Sequence, residues 1–404
     1  MLICDFYISY DEWAETKYYP YEGYDFLLGR DGCLYFLEAN AVPAGIYVLS
    51  VITRMQYNDL PPYEKHLAND LVKFVDRFAE MALIYYYYER GESPQTAIVT
   101  VPPHREGFLN PERIAISYAL RRKGIRSWVV GKSKLIYENG FVYFLDPKNH
   151  EEIYPDLIIR RSFDFPKKVK QIVINPSEVG YITGSKIRTY KVISKLLDSL
   201  PELAKYVKIP FTLYSRSLNK VTRYVEEILE MGKRVIVKPA SGSGGEGIIV
   251  INSKEELESK KGLLEKSARN KKYLMVQELI LPAPVLIKGN RYYAFDIRAY
   301  GFMGRLVGLH LRRAPIPIDT NYLDLDYYNV VSNVSAGGVP IIALMDRRSK
   351  RDLRFIRTKK YTLRMADKVF RTDDYVTIVG GELLRRIEYI VRVFSKAISS
   401  ATSL

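Results

Sequence analysis

The chain has 404 residues, of which 47% are hydrophobic, and its 61 Lys and Arg against 46 Asp and Glu give a formal net charge of +15. This size and composition exclude a disordered or fibrous protein and allow for two or three domains. Two cysteines and four histidines are too few for a disulfide framework or a Cys/His metal site, which favours a reducing, cytoplasmic location. The sequence also lacks an uninterrupted apolar run of about 20 residues, so we expect no membrane-spanning helix and no membrane partner.

The first element along the chain is a hairpin over residues 23–40, GYDFLLGRDGCLYFLEAN. Its Asp31-Gly32 pair between apolar strands is typical of a two-residue turn. That turn would place Asp25 opposite Glu38, with Asn40 on the same face of the hairpin. Facing carboxylates repel each other unless a cation or a shared proton lies between them. The hairpin therefore predicts a Mg²⁺ site at Asp25, Glu38 and Asn40, and a solvated hairpin is the alternative.

Residues 62–90 carry apolar side chains at helical spacing and end at Gly91, which predicts one long amphipathic helix. A small α/β domain is predicted over residues 93–180, because strand and helix patterns alternate there. Its predicted elements are strands at 96–101, 127–130 and 157–160, a helix at 111–123, a hairpin at 134–145 and a further strand at 172–175. Two more helices are predicted at 185–200 and 381–399.

Residues 234–251, RVIVKPASGSGGEGIIVI, predict a strand, a glycine-rich loop and a second strand. Glycines let successive backbone N–H groups approach an anion, and Lys238 at the end of the first strand adds a positive charge. A strand after the loop disfavours the Rossmann and Walker motifs, in which a helix follows the glycines. We expect the loop to hold a triphosphate, and a plain hairpin turn is the alternative. The candidate contacts are Ser241, Gly242, Ser243, Gly244, Gly245 and Gly247.

Residues 273–280, YLMVQELI, predict an apolar strand that ends in polar side chains. A carboxylate at such a strand end can accept hydrogen bonds from ribose hydroxyls, and the neighbouring backbone can bind the adenine edge. The candidates are Gln277, Glu278, Leu279 and Ile280, although an isolated Glu278 is also consistent with a plain surface carboxylate.

Residues 294–300, AFDIRAY, predict a strand that carries Asp296 and Arg298 on one face, where an ordinary ion pair is the alternative to a functional role. Arg312 follows the predicted strand 306–311, and Asn333 precedes Gly337-Gly338. Both residues stand where a loop can close over a phosphate.

These segments together resemble the ATP-grasp motif set. The matching residues are Lys186 in GSKIRTYKVI, Lys238 in VIVKPASGSGGEG, Gln277-Glu278, Asp296-Ile297-Arg298, Arg312-Arg313, Asn333 in SNVSAGG, and Asp25 with Glu38-Ala39-Asn40. The D…E-x-N hairpin comes first here instead of after a closing helix, which resembles the circularly permuted ATP-grasp family related to glutathionylspermidine synthase-type amide ligases. LEANAVPAGIYVL is similar to that family's LEDN…PSG…YVL stretch, and residues 93–180 resemble its pre-ATP-grasp domain.

The resemblance implies an α/β (α+β) protein with a circularly permuted ATP-grasp fold and a small Rossmann-like pre-ATP-grasp domain. Residues 1–92 would form the permuted metal-binding hairpin and the long helix, residues 93–180 the pre-ATP-grasp domain, and residues 181–404 the ATP-binding lobes and closing helix. The implied activity is an ADP-forming ligation of a small-molecule or peptide carboxylate to an amine through an acyl phosphate, with ATP and one or two Mg²⁺ ions.

The resemblance also implies roles for single residues. Lys186 and Lys238 would hold the α- and β-phosphates, and Arg298, Arg312 and Asn333 would act on the transferring phosphoryl group and the carboxylate, with Asp296 in the nucleotide site. Two alternatives stay open. One is a phosphotransferase that uses His66, His104, His150 or His310. The other is a non-catalytic protein that binds ATP or nucleic acid through the basic run 347–371, which holds eleven Lys or Arg.

Overall fold

The computed structural model describes residues 10–16, 18, 20–102, 110–161, 165–166, 168–240, 245–270, 273–283, 285–288, 291–318, 325–332, 337–365 and 368–402. The helices in these ranges are α1 (Tyr10–Thr16), α2 (Ile46–Gln56), α3 (Pro62–Val72), α4 (Phe74–Arg90), α5 (Pro111–Arg122), α6 (Ser177–Thr183), α7 (Lys186–Ser199), α8 (Pro201–Ala204), α9 (Leu218–Glu230), α10 (Lys254–Asn270), α11 (Tyr327–Val330) and α12 (Gly381–Thr402). None of the helices in the described part of the chain is long and apolar enough to cross a lipid bilayer.

The strands in the same ranges are β1 (Glu22–Leu28), β2 (Leu34–Asn40), β3 (Thr96–Val101), β4 (Arg126–Gly131), β5 (Ile136–Glu138), β6 (Phe141–Leu145), β7 (Glu152–Ile153), β8 (Leu157–Ile159), β9 (Ile172–Ile174), β10 (Val207–Lys208), β11 (Thr212–Ser215), β12 (Val235–Pro239), β13 (Ile249–Ile251), β14 (Leu274–Glu278), β15 (Val285–Lys288), β16 (Arg291–Tyr293), β17 (Phe295–Phe302), β18 (Arg305–Arg313), β19 (Val339–Asp346), β20 (Leu353–Arg357), β21 (Thr362–Met365), β22 (Lys368–Arg371) and β23 (Tyr375–Gly380).

The largest sheet among the described residues has eight strands in the order β10-β2-β1-β17-β18-β19-β23-β20. Its neighbours are antiparallel except for the parallel pairs β10–β2 and β19–β23. Strand β1 of the predicted hairpin pairs along its length with β17, although β17 comes much later in the chain. The sheet thus joins the hairpin to the strand that carries Asp296 and Arg298.

The turn of the β1–β2 hairpin differs from the predicted two-residue turn. Gly29 donates a hydrogen bond to the Cys33 carbonyl at 2.8 Å, which encloses three residues, and Gly32 has a φ of 77° that favours glycine. If the strands continued regularly from this turn, Asp25 would lie opposite Leu37, the residue before Glu38. A β-bulge next to Asp25 restores its pairing with Glu38. The predicted pairing is therefore confirmed, but the turn that led to it is wrong.

One face of the large sheet is apolar at the hairpin and is covered by α12. The ring of Phe394 on α12 lies 5.7 Å from the ring of Tyr24, 6.2 Å from that of Phe26 and 5.3 Å from that of Phe36, measured between centroids. Apolar residues alternate with polar ones along β1, β17 and β18, so the opposite face of the same strands carries the polar side chains. The predicted helix 381–399 is confirmed, with α12 extending to Thr402.

The predicted α/β elements of residues 93–180 are confirmed. Strands β4, β3, β8 and β9 form a parallel sheet in that order. The predicted hairpin is β5–β6, whose turn residues Asn139 and Gly140 have φ values of 51° and 83°, as a tight hairpin turn requires. Helix α5 packs beside β3 and β4 and places Glu112 in its first turn.

The prediction of one helix over residues 62–90 is wrong. The segment forms α3 and α4, separated at Lys73, whose φ of −97° and ψ of 15° leave the helical region. The break directs Phe74 onto the large sheet, where its ring lies 5.5 Å from that of Tyr300. The helical spacing of apolar residues continues through the break, so the local sequence does not predict it. Packing against the sheet decides where the helix breaks.

A separate four-stranded sheet, β11-β14-β12-β13, packs against α9 and α10. It contains the predicted strand, loop and strand of residues 234–251, because β12 and β13 pair antiparallel on either side of the glycine-rich loop. The absence of a helix directly after this loop agrees with the predicted exclusion of Rossmann and Walker motifs. Lys238 lies in β12 and Gln277-Glu278 at the end of the neighbouring β14.

Candidate functional site

A row of charged side chains crosses the polar face of the large sheet. Directly opposed residues pair Glu38 with Asp25, Asp25 with Arg298, and Arg298 with His310 across four strands. Such opposed residues project from the same face of an antiparallel sheet. One row further on, Asp296 pairs with Arg312 on that face. The strand pairing therefore assembles predicted residues from both ends of the chain.

Asp25 is the central carboxylate of this cluster and is 2% exposed. Arg298 donates to its two oxygens through Nε and Nη2, each at 2.6 Å, and Arg312 donates through Nη2 at 2.8 Å. Burial raises the pKa of Asp25, but the two guanidiniums outweigh burial and hold this pKa well below its usual range. Asp25 is therefore a carboxylate that fixes the positions of two arginines.

Asp296 fixes Arg312 from the other side. Arg312 donates to Asp296 through Nε at 2.7 Å and Nη2 at 2.5 Å, and the Ser332 hydroxyl donates to the same carboxylate at 2.6 Å. Among the described residues, the ion pair between Asp296 and Arg298 that the sequence left open as an alternative does not form. Instead, Asp296 pairs with Arg312, and Arg298 pairs with Asp25. Arg312 also lies inside β18, which ends at Arg313, and not in a loop beyond the strand as predicted. The longer strand gives Arg312 a rigid position.

Glu38 connects this cluster to the first predicted phosphate-binding lysine. Its Oε2 lies 3.3 Å from Nζ of Lys186, and its Oε1 lies 3.7 Å from Nη2 of Arg298 and accepts from the Asn40 amide at 3.3 Å. Lys186 is the first residue of α7, whose N-cap is Ser185. The Glu38 side chain is 24% exposed, so it borders the open part of the site.

Lys238 reaches the same region from the smaller sheet. Its Nζ lies 5.6 Å from the centroid of the Tyr190 ring, and the Lys186 N–H donates to the carbonyl of Ala240 at 3.2 Å, two residues after Lys238. Burial, reinforced by the charge of Lys186 and opposed by Glu38, lowers the pKa of the Lys238 amine to about 7. A lysine with a depressed pKa next to a second lysine is typical of a site that receives an anion.

The glycine-rich loop is described in part. Ser241, Gly242, Ser243 and Gly244 lie outside the described residues, as does Asn333. Gly245 and Gly247 are described, with φ values of 81° and 76° that favour glycine. The Tyr327 hydroxyl donates to the Gly245 carbonyl at 3.2 Å, so the end of the loop contacts α11.

The predicted adenine and ribose residues are engaged within the smaller sheet. The N–H groups of Glu278 and Leu279 donate to the carbonyls of Phe211 and Arg234, at 3.0 and 2.7 Å. The Glu278 carboxylate accepts from the Phe211 N–H at 2.9 Å and forms an ion pair with Lys233. To bind ribose, the Glu278 carboxylate would therefore have to release its ion pair with Lys233.

The amide of Gln277 donates to the Thr212 hydroxyl at 2.6 Å. Ile280 follows directly after β14. A role for Gln277 and Ile280 in adenine binding stays a prediction.

The donor set of the hairpin fits Mg²⁺ in its chemistry. Carboxylate and amide oxygens are ligands that Mg²⁺ prefers, and it typically takes one or two carboxylates together with phosphate oxygens. Glu38 and Asn40 border the open part of the site, whereas three donated hydrogen bonds occupy most of the lone pairs of Asp25. No group of three or more His, Cys, Asp or Glu side chains in the described ranges is arranged to hold a metal. Glu38 and Asn40 are therefore the better candidates, and Asp25 the weaker one.

The sequence analysis missed Ser332 and named His310 only as a candidate for the phosphotransferase alternative. Ser332 bonds to Asp296, and its only sequence signal is that it directly precedes Asn333. His310 is 6% exposed and its ring stacks 5.7 Å from that of Tyr300. Burial and the charges of Arg312 and Arg298 hold the pKa of His310 well below its usual range, so its imidazole is neutral. The two-residue spacing from Arg312 could have placed His310 on the polar face.

Comparison with known proteins addresses the fold. A family model described as the tubulin-tyrosine ligase family matches residues 167–307, and no curated protein sequence matches the chain. A solved structure assigned as a gamma-glutamylcysteine synthetase from Methylobacillus flagellatus is 12% identical, with a TM-score of 0.58, and the match covers 97% of this chain and 90% of that one. That structure is of the ATP-grasp type. This chain has an ATP-grasp fold.

Two other ATP-grasp structures overlap less well. D-alanyl-alanine synthetase A from Vibrio cholerae is 10% identical, with a TM-score of 0.36, and the match covers 57% of this chain and 69% of that chain. The RimK domain protein from Sphaerobacter thermophilus is 11% identical, with a TM-score of 0.34 and coverages of 76% and 100%. The family match includes Lys186, Lys238 and Arg298 of the ATP-grasp fold, but it ends before Arg312 and leaves out the β1–β2 hairpin.

Proposed function

We propose that this protein is an ATP-dependent carboxylate–amine ligase that acts through an acyl phosphate. The meeting of Lys186, Lys238, Arg298 and Arg312 on one polar face supports this function best. These four basic residues come from α7, β12, β17 and β18, and when Lys238 is protonated they exceed the three neighbouring carboxylates of Asp25, Glu38 and Asp296 by one charge. A cluster of fixed positive charges stabilises a transferring phosphoryl group without any covalent contribution from the protein.

The reaction that fits this cluster has two steps. A carboxylate oxygen of the first substrate attacks the γ-phosphorus of ATP, and ADP leaves. The amine nitrogen of the second substrate then attacks the acyl carbon, inorganic phosphate leaves, and the nitrogen loses a proton to form the amide. In this proposal Lys186 and Lys238 hold the α- and β-phosphates, and Arg298 and Arg312 stabilise the charge that moves in the first step.

The remaining nucleotide contacts in the proposal come from the smaller sheet and the loops. Ser241, Gly242, Ser243, Gly244, Gly245 and Gly247 would cover the triphosphate, Gln277 to Ile280 would hold adenine and ribose, and Asn333 would assist Arg312. Glu38 and Asn40, with Asp25, would hold one or two Mg²⁺, which would neutralise phosphate charge when bound. Asp296 acts by positioning Arg312.

We also propose that the chain order is a circular permutation of the ATP-grasp arrangement, with the domain limits given above. Two contacts support this proposal. Helix α12 packs under the β1–β2 hairpin through Phe394. In addition, Arg392 of α12 forms an ion pair with Glu12 of α1 and donates to the Tyr18 hydroxyl at 3.3 Å. The hairpin therefore lies against the helix that precedes it in the ordinary order.

The test is a screen of carboxylate and amine pairs for ADP formation with Mg²⁺ and ATP, in which product mass is read directly. We expect ADP only with both substrates, a product mass equal to their sum minus water, and loss of turnover in Lys238→Ala. Equal ADP release without an amine would contradict the ligase function. Phosphate covalently bound to a histidine would favour the phosphotransferase. His310 is the described histidine in the site, and its burial argues against that role.

A further inference from the structure

Four arginines of the basic run 347–371 differ in their partners. Arg347 and Arg354 form ion pairs with Glu388 and Glu64, at 2.8 and 2.7 Å. Arg364 and Arg371 lie on the β21–β22 hairpin, are exposed, and have no carboxylate partner among the described residues. Arg347 and Arg354 are thus tied to other elements, whereas Arg364 and Arg371 present their side chains to the solvent.

Arg364 and Arg371 share one face of the β21–β22 hairpin. Thr362 pairs with Arg371 and Arg364 pairs with Val369, so all four side chains project from the same face. They line an open cleft of about 850 Å³. Leu363 projects from the other face and packs against the hydrophobic core. The hairpin is therefore amphipathic, with its arginine face turned to the cleft.

The base of this hairpin is fixed to the edge of the candidate site. The Gln56 amide donates to the Thr358 hydroxyl at 2.8 Å and to the Asp373 carbonyl at 3.2 Å. Asp373 also forms an ion pair with Arg313, the neighbour of Arg312. The hairpin leaves from β20 and returns to β23, which lie three and two strands from β18. At about 4.8 Å per strand, its base is about 10–15 Å from Arg312.

We propose that the arginine face of β21–β22 binds the remote part of an elongated substrate, a part that carries at least two carboxylates. This inference rests on the proposed ligase function, with the reacting carboxyl group at Arg298 and Arg312. The planar guanidinium binds a carboxylate through two parallel hydrogen bonds, and two guanidiniums on one face suit two such groups.

The side chains beside the two arginines favour a polycarboxylate over a nucleic acid. Proteins that bind single strands combine a basic groove with aromatic rings on which the bases stack. In the described part of the run, Phe355 packs into the core, the Tyr361 hydroxyl donates to Asp59 at 2.9 Å, and Phe370 pairs with Leu363 on the face opposite the arginines. The arginine face offers only Thr362 and Val369 in addition to the guanidiniums.

The test measures binding of fluorescein-labelled hexaglutamate to the whole chain by fluorescence anisotropy at low salt. Arg364→Ala/Arg371→Ala should raise the Kd at least tenfold. The matched control is Arg223→Ala/Arg269→Ala, which removes the same charge from two exposed arginines on α9 and α10 and should leave the Kd within twofold. A labelled dT12 strand is titrated in parallel, and ATP affinity is measured on the same samples.

Equal weakening in both double variants, or no hexaglutamate binding by the wild type, would overturn the proposal, because the hairpin would then be a solvated surface. Tighter binding of dT12 than of hexaglutamate, weakened by the Arg364/Arg371 variant, would overturn it in favour of a nucleic-acid site. ATP binding reports separately on the proposed function. If the wild type binds hexaglutamate through the β21–β22 hairpin but does not bind ATP, the ligase function is contradicted, whereas anion binding by the hairpin is retained.

Discussion

Lys238 should take up a proton when ATP binds. Burial and the charge of Lys186 lower the pKa of the Lys238 amine to about 7, so about nine in ten of these amines are neutral at pH 8 in the free protein. A triphosphate beside the amine favours its charged form, since a nearby opposite charge raises the pKa of a lysine. ATP affinity should therefore fall by up to about tenfold, or about 1.4 kcal/mol, for each pH unit above 7.

The effect on stability has the opposite sign. The unfolded lysine has an ordinary pKa of 10.5, so the unfolded chain binds more protons than the folded chain between pH 7 and 10.5. The contribution of Lys238 to the free energy of unfolding therefore rises with pH across this window. ATP affinity falls over the same range, which separates a titration of Lys238 from a general loss of structure at alkaline pH.

Isothermal titration calorimetry at pH 8 in two buffers of different ionisation enthalpy measures this proton directly. We expect an uptake of about 0.9 protons per ATP bound. Lys238→Arg is the matched control, because its guanidinium stays charged throughout this range, and it should show no uptake and a flat affinity between pH 7 and 9. Equal uptake by wild type and Lys238→Arg, or measurable ATP binding without uptake, would refute the reasoning.

Three further predictions concern the β1–β2 hairpin and the helix that covers it. Glu38→Gln should lower ADP release at least ~100-fold and change ATP affinity within ~3-fold, because the charge matters most where phosphate charge moves; full turnover would show that Glu38 is structural. Asp25→Asn should cost about 3–5 kcal/mol of unfolding free energy in urea melts, since Arg298 and Arg312 lose a buried anion. Phe394→Ala should cost about 3–5 kcal/mol, and Phe394→Leu clearly less; equal melts for the two would contradict packing of α12 on the hairpin.

The local sequence pattern predicted the structure correctly where the residues that determine a motif lie within the motif itself. The glycine-rich loop is confirmed between two strands because β-branched residues and glycines mark each part of it. The pairing of Asp25 with Glu38 is also confirmed, but only because an added turn residue and a β-bulge compensate. A count of residues from the turn cannot detect two irregularities that cancel.

Other features depend on contacts between distant segments. The break at Lys73 follows from packing of Phe74 on Tyr300, a residue far along the chain. The partners of Arg298 and Arg312 depend on the insertion of β1 beside β17, which no local pattern contains. The sequence named Asp25, Arg298 and Arg312 as candidate residues, but it did not predict which carboxylate pairs with which arginine.

The position of α12 under the β1–β2 hairpin bears on how the protein folds during its synthesis. Phe394, which covers Phe26 and Phe36, leaves the ribosome about 360 residues after them. At about 5–20 residues per second, these rings would wait about 20–70 s for their cover. Until β17 and α12 follow, the hairpin exposes an apolar face and an unpaired strand edge, and such an edge is prone to aggregate or to recruit chaperones.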